Sequence, residues 1–266
     1  MRADLTDSDI HDLWRVADRL ADRARLETLA HFRRRDLGVE SKAVAFDPVT
    51  EADRACEAAM RDILTEMRPD DGILGEEEGP RASKSGLTWV LDPIDGTRSF
   101  MSGTPTWGVL IALRDEEGAF MGIVDQPYIR ERFWGGPGRA EVEGPSGRAD
   151  LKVRACATLG EATLFTTFPE VGTSAEGAAF ARVARQVRLT RYGCDCYAYA
   201  LLAAGQIDLV IEAGLKAFDI AAPLAVIEAA GGIVTDWQGG SAQEGGQVIA
   251  AGDPRIHAAA LEILNA

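Results

Sequence analysis

Three short acidic runs carry most of the chemistry this sequence offers. The densest is Asp92-Pro93-Ile94-Asp95-Gly96-Thr97, which follows the apolar stretch Trp89-Val90-Leu91. A strand that ends at Asp92, and a turn forced by Pro93 and Gly96, let Asp95 point back toward Asp92. Two convergent carboxylates are costly unless a cation neutralises them. The run has no histidine or cysteine, so its donors are hard oxygens that suit Mg²⁺ or Mn²⁺ better than Zn²⁺. The Gly96 and Thr97 backbone N–H groups fall at the start of a short helix, a favourable seat for a phosphate group. A lone D-P-x-D-G is also explained by an Asp-rich turn that caps itself. The full string after an apolar strand is more specific.

The second run, Gly75-Glu76-Glu77-Glu78, reads by itself as a solvated turn. It gains weight from its apolar entry, Ile73-Leu74, and from the aspartate motif that follows. The third is Ala217-Phe218-Asp219-Ile220. Asp219 stands where a helix begins, so it is either an N-cap or a carboxylate facing the first two runs, and the sequence leaves both open.

The elements that must position these groups follow from periodicity and punctuation. Ile10, Leu13, Trp14, Val16, Ala17, Leu20 and Ala21 recur at helical spacing, giving a long amphipathic helix from Leu5 to about Arg34. A second helix runs from Arg54 to Met67. Thr50 is its candidate N-cap, with Asp53 in the capping-box position. Strands are expected at Thr88–Leu91, Thr106–Leu113, Ala119–Val124 and Glu131–Trp134, with Gly135–Arg148 as a surface loop. The second half alternates: strands at 188–192, 206–212, 233–236 and 247–251, helices at 195–204 and 219–230, and a last helix opened by Asp253-Pro254. The expected architecture is α and β in covering layers, divided into residues 1–145, with most of the acidic ligands, and residues 146–266, acting as one functional unit.

Composition narrows the function classes. The 266 residues carry a net charge of −14, which disfavours nucleic acid and anionic membranes as partners, since both call for clustered Lys and Arg. No run resembles a signal peptide or a membrane span, so a cytoplasmic location is expected. The cysteines (Cys56, Cys156, Cys194, Cys196) lack zinc-site spacing and read as reduced, packed thiols. His11, His31 and His257 lie in no catalytic motif, which disfavours a Ser-His-Asp mechanism.

Taken together, Pro48–Asp53, Gly75-Glu76-Glu77, Trp89–Thr97 and Phe218-Asp219 with Ala229–Gly232 resemble the inositol monophosphatase superfamily of metal-dependent, lithium-sensitive phosphatases. The resemblance implies an α-β-α-β-α sandwich, usually a homodimer, that hydrolyses a small phosphate monoester with two or three Mg²⁺ ions (Mn²⁺ as substitute). It implies that Glu76 binds metal and orients the attacking water. Asp92 would bridge two metals, the Ile94 carbonyl would bind the first, and Asp95 and Asp219 the second. Thr97 would help activate the water and Asp53 would hold Thr97, while the Gly96 and Thr97 amides receive the phosphate. Lys42 matches more loosely a lysine near the metal site. Substrate choice would rest on Arg191, Asp195 and Glu212. Gly193-Cys194-Asp195-Cys196-Tyr197-Ala198-Tyr199 resembles the histidinol-phosphate phosphatase branch, in which an extra carboxylate at Asp195 suits a cationic leaving group; a helix cap is the other reading of Asp195. The alternatives are inositol monophosphatase, the 3′-phosphoadenosine nucleotide phosphatase branch and, in a different class, a non-catalytic partner in a ribonucleoprotein complex.

Overall fold

The computed structural model describes residues 4–34, 40–41 and 48–266. Lys42 therefore lies outside the described residues, as do the other residues of 35–39 and 42–47. The helices are α1 (Asp7–His31), α2 (Glu51–Met67), α3 (Thr97–Ser102), α4 (Ser174–Ala184), α5 (Asp195–Ala203), α6 (Ala217–Ala229) and α7 (Pro254–Leu264). A two-stranded ladder pairs β1 (Glu40–Ser41) with β2 (Pro48–Val49). The larger sheet has β3 (Gly72–Gly75), β4 (Thr88–Asp95), β5 (Gly108–Asp115), β6 (Gly118–Gln126), β7 (Glu131–Gly136), β8 (Arg139–Gly144) and β9 (Gly147–Asp150), in that order across the sheet. The smaller sheet contains β10 (Thr163–Thr166), β11 (Leu189–Tyr192), β12 (Leu209–Lys216), β13 (Ile233–Thr235) and β14 (Gly245–Ala251), ordered β11-β10-β12-β14-β13.

Strand periodicity explains the layers. Trp89 and Leu91 of β4, and Val109, Ile111 and Leu113 of β5, pack against α1 and α2. The intervening Val90, Leu110 and Ala112 face the opposite way, against α5 and α6. Side chains alternate across a strand, so a sheet covered on both faces reads as a nearly unbroken apolar run. The smaller sheet lies beyond α5 and α6, and Leu209, Ile211, Ile249 and Ala251 turn outward to a third core shared with α4 and α7. The stacking is thus helix, sheet, helix, sheet, helix, as the resemblance implied.

Helix α6 is the shared middle layer. Its residues Ile220 to Ile227 are all buried, including Pro223, as expected of a helix with protein on every side. Its small residues let the larger sheet approach closely. A Cβ on Gly135 would lie 2.2 Å from Val226 Cα and 2.7 Å from the Ala225 carbonyl oxygen, closer than any side chain tolerates.

The start of α2 forms as its sequence suggests. The Thr50 hydroxyl accepts from Ala52 N at 3.2 Å, and Asp53 Oδ2 accepts from Thr50 N at 2.9 Å. One expectation is overturned. Gly135–Arg148 is not a surface loop, because most of it forms β8 and β9, which extend the larger sheet through an antiparallel hairpin. The glycines and charges that suggested a loop belong to a partly exposed sheet edge, where β9 is exposed throughout. The division at 145/146 falls in the turn of this hairpin. Strand β10 and helix α4 lie between the elements expected from periodicity and complete the second sheet and its outer layer. Among the described residues no helix is long and apolar enough to cross a membrane.

The contact between Gly135 and α6 yields a stability prediction. Gly135→Ala is expected to lower the unfolding free energy by about 1–3 kcal/mol through overpacking. Urea denaturation followed by far-UV circular dichroism measures it; an unchanged midpoint would contradict the packing described.

Candidate active site

Strand β4 ends in an irregularity. Its ladder with β5 pairs Asp92 with Leu110 and then jumps to Asp95 with Gly108. Bulges of this kind re-aim side chains, and here the break brings Asp92 and Asp95 to the same side. Gly96 then takes φ 84°, and a Cβ at this position would meet the Asp195 carboxyl carbon at 2.7 Å. Only glycine meets both demands. Helix α3 starts immediately afterwards, with the Thr97 hydroxyl donating to the Ile94 carbonyl oxygen at 3.2 Å and Ile94 N donating to Asp92 Oδ1 at 3.1 Å.

Asp219 reaches the same place from α6. It faces the first cluster and is not the N-cap of α6, which is Lys216, although from the third helical position it still closes the helix start. Its Oδ2 accepts from Lys216 N at 2.6 Å at the helix start, and each of Asp92, Asp95 and Asp219 offers an oxygen within 4.8 Å of the others. Asp95 also has a second task that no local sequence signal indicates: its Oδ2 accepts from Cys196 N at 2.6 Å and so caps α5. Asp195, the expected cap, instead sits at φ 47° and accepts from Ser99 Oγ at 2.6 Å and Thr106 Oγ1 at 3.1 Å.

These groups line a cavity of about 490 Å³ together with Glu76, Ile94, Gly96, Thr97 and Glu212. Burial raises the Asp92 carboxyl well above the usual range, and the charges of Glu76, Asp95 and Asp219 push it further. Asp95 is raised by burial and then by Asp195 and Asp219. Burial likewise lifts Asp219 to about 7 against the opposing Lys216 hydrogen bond. Glu212 also rises to about 7 through burial, although it accepts from Thr167 N at 2.8 Å, Thr167 Oγ1 at 2.6 Å and Tyr199 Oη at 3.3 Å. The cations lining the cavity, Arg98 and Lys216, act on Asp195 and Asp219; none figures among the main influences on Asp92 or Asp95.

A second acidic group adjoins the first. Asp53, Glu76 and Glu77 each offer an oxygen within 4.8 Å of the others. Asp53 is 1% exposed, and its Oδ1 is buried with no hydrogen-bond partner among the described residues. Its carboxyl is raised to about 6, chiefly by burial. The expected grip of Asp53 on Thr97 is absent. Asp53 Oδ2 is held by Thr50, whose hydroxyl donates to it at 2.5 Å, because the capping box fixes that side chain at the third position of α2. Arg191 lies exposed on the edge strand β11, paired in parallel register with Phe165, and is not among the residues that line the cavity. Sequence reasoning missed the segment Thr166–Gly172, which lines the cavity opposite α3; it has no periodicity of its own, and only the pairing of β10 brings it there.

The chain matches the family model described as the inositol monophosphatase family over residues 9–266. The chain belongs to the inositol monophosphatase family. Its relatives in this family include the Arabidopsis thaliana bifunctional phosphatase IMPL2, chloroplastic, 40% identical over 99% of this chain and 78% of that protein. Another is a Mycobacterium tuberculosis histidinol-phosphatase, 36% identical over 96% of this chain and 99% of that protein. The solved structure of an inositol monophosphatase from Zymomonas mobilis superposes with a TM-score of 0.85, at 38% identity, covering 98% of this chain and all of that one (100%). Other family members are named inositol-1-monophosphatase and Nus factor SuhB.

The donor chemistry of this family member fits hard divalent cations. Asp92, Asp95 and Asp219 supply clustered oxygens, with no cation among the main influences on Asp92 or Asp95, and Asp53 Oδ1 is, among the described residues, an orphaned buried acceptor beside Glu76. The same imbalance sets a pH dependence. Carboxyls whose folded-state pKa is raised bind more protons folded than unfolded, so stability is greatest below their unfolded pKa of about 4 and is lost as pH rises through the folded values, about 6 for Asp53 and about 7 for Glu212 and Asp219. The metal-free protein should therefore melt at a lower temperature at pH 8 than at pH 5, and MgCl₂ should restore much of the loss at pH 8. Differential scanning fluorimetry with and without a chelator tests this; a melting temperature that rises across the window would refute it.

Proposed function

We propose that this inositol monophosphatase family phosphatase uses Mg²⁺ to hydrolyse L-histidinol phosphate to L-histidinol and phosphate, a step in histidine biosynthesis. The observation that carries the reading is the presence of Asp195 and Glu212 in the same cavity as the Asp92, Asp95 and Asp219 cluster. Carboxylates at the cluster suit a metal, whereas carboxylates on the leaving-group side suit an amine or an imidazole. The names of several relatives support the same direction.

Glu76, Asp92, Asp95, Asp219 and the Ile94 carbonyl would hold the ions. When bound, Mg²⁺ supplies Lewis acidity that makes water a usable nucleophile near neutral pH and neutralises charge on the phosphoryl oxygens. The chain does the positioning. The Gly96 and Thr97 amides donate to the phosphoryl oxygens as charge spreads over them. Thr97 already spends its hydroxyl proton on the Ile94 carbonyl, so its oxygen is left to accept a hydrogen bond from the attacking water. Glu76 accepts a second hydrogen bond from that water and sets its approach. Asp195 keeps Oδ1 free of hydrogen bonds among the described residues while Oδ2 is held by Ser99 and Thr106, so one oxygen is fixed in place and the other meets the leaving group. No covalent phosphoenzyme is involved. The reading places the enzyme in the cytoplasm as a homodimer, without nucleic-acid or membrane partners.

A phosphate-release panel with Mg²⁺ tests the substrate: histidinol phosphate, inositol 1-phosphate, 3′-phosphoadenosine 5′-phosphate and fructose 1,6-bisphosphate. Histidinol phosphate is expected to give the highest kcat/KM. Preference for inositol 1-phosphate would replace the reading with the family's other activity, and no turnover of any ester would favour a binding role of the kind suggested by the name Nus factor. Asp92→Asn should abolish turnover and leave the circular dichroism spectrum intact. Asp195→Asn, which keeps an oxygen acceptor for Ser99 and Thr106, should raise KM for histidinol phosphate about tenfold or more, as expected for loss of a charge-assisted contact, and should affect inositol 1-phosphate much less. Equal losses on both esters would remove Asp195 from substrate selection.

A further inference from the structure

Phe168 lines the cavity yet remains 44% exposed, while Phe100, Trp89 and Trp107 are fully buried. It belongs to none of the three cores. Its backbone is nonetheless firmly mounted. Strand β10 ends just before it, Thr167 N and Oγ1 both donate to Glu212, and Gly193 N donates to the carbonyls of Thr166 and Thr167 at 3.2 and 3.0 Å. The Arg98 guanidinium lies 4.8 Å from the Phe168 ring centroid, at cation–π distance. Arg98 directly follows Thr97, so the ring is held beside the phosphate-binding turn. With Arg98 over one face, the ring lines the cavity, whose lining also includes apolar Val171, Leu215 and Phe218.

An apolar ring held in place in a cavity that also carries several carboxylates is matched by a planar ring that carries positive charge elsewhere. Saturated rings rimmed with hydroxyls would need hydrogen-bond partners that Phe168, Val171, Leu215 and Phe218 do not offer. We propose that Phe168 is a specificity-determining residue that stacks on a flat aromatic ring in the leaving group, and that Arg98 is a positioning residue that fixes the Phe168 ring. The inference rests on the reading of the site as an esterase for a cationic leaving group, and it extends that reading from the charge of the leaving group to its shape.

The test compares the wild type with Phe168→Leu, Phe168→Tyr and Arg98→Gln, each as the full chain with Mg²⁺. The substrates are histidinol phosphate, 2-phenylethyl phosphate and glycerol 2-phosphate. Leucine keeps the bulk and apolarity but removes the π face. F168L should therefore lower the kcat/KM ratio of each ring ester to glycerol 2-phosphate about three- to tenfold, mainly through KM, the range expected for one aromatic contact. F168Y should restore the ratio. R98Q should shift it in the same direction as F168L, and adding R98Q to F168L should shift it no further. A ratio unmoved by F168L, or moved equally by F168Y, would overturn the inference. Wild-type hydrolysis of glycerol 2-phosphate but not of 2-phenylethyl phosphate would do the same. Loss of histidinol phosphate as a substrate, with the 2-phenylethyl to glycerol ratio still falling in F168L, would sink the proposed substrate and leave the stacking intact.

Discussion

Like charges confined in one buried place are the constraint around which this protein is built. Asp92 is 1% exposed, and its neighbours Glu76, Asp95 and Asp219 all push its carboxyl toward protonation. Left alone, such a cluster would spread apart or neutralise itself. The fold prevents spreading by giving each carboxylate a mount of its own. The break in the β4–β5 ladder holds Asp92 and Asp95, the first turn of α6 holds Asp219, and the capping box of α2 holds Asp53. The repulsion that remains leaves a cluster of hard oxygens whose chemistry suits hard cations.

Several of these mounts serve two purposes. Asp95 caps α5 while facing Asp92, and Asp219 closes the first turn of α6 while facing both. Glu212 is gripped by Thr167 and Tyr199 and thereby fixes the segment that carries Phe168. Asp95, Asp195 and Glu212 are therefore also fastenings between elements far apart in the chain, whereas Asp219 fastens the start of its own helix. This dual use explains why the acidic cavity does not swell open, since releasing any one oxygen also frees a helix end or a loop. Backbone N–H donors offset part of the cost of holding these charges together.

The five layers set the distances at which this works. Helix α6 lies between the two sheets, and its small side chains allow a close approach to the larger one. Asp219, at the start of that helix, is thereby held against the end of β4. The smaller sheet contributes the opposite wall, through Glu212 of β12 and the segment after β10. The Asp92, Asp95 and Gly96–Thr97 lining thus comes from the end of the larger sheet, and the Glu212 and Phe168 lining from the smaller one.

The local pieces were legible in the sequence because they depend on neighbours in the chain. The apolar run toward Asp92, the Gly96 turn, the capping box of Thr50 and Asp53 and the helical period of α1 each involve residues a few positions apart and formed as read, although β4 runs on through Pro93 to Asp95 instead of ending at Asp92. Family motifs added Glu76 and Asp219, and Asp195 and Glu212, all of which line the one cavity. Partnerships across the chain were not legible. Asp95 rather than Asp195 caps α5, Thr50 rather than Thr97 engages Asp53, and Arg191 stays outside on an edge strand. Gly135–Arg148 has the composition of a loop, yet β7 draws it into the sheet. Phe168 carries no signal in sequence at all. Periodicity and turn chemistry report what a segment can do alone, whereas the choice of hydrogen-bond partner, and of which face meets a cavity, is decided only when distant segments compete for the same donors in the packed fold.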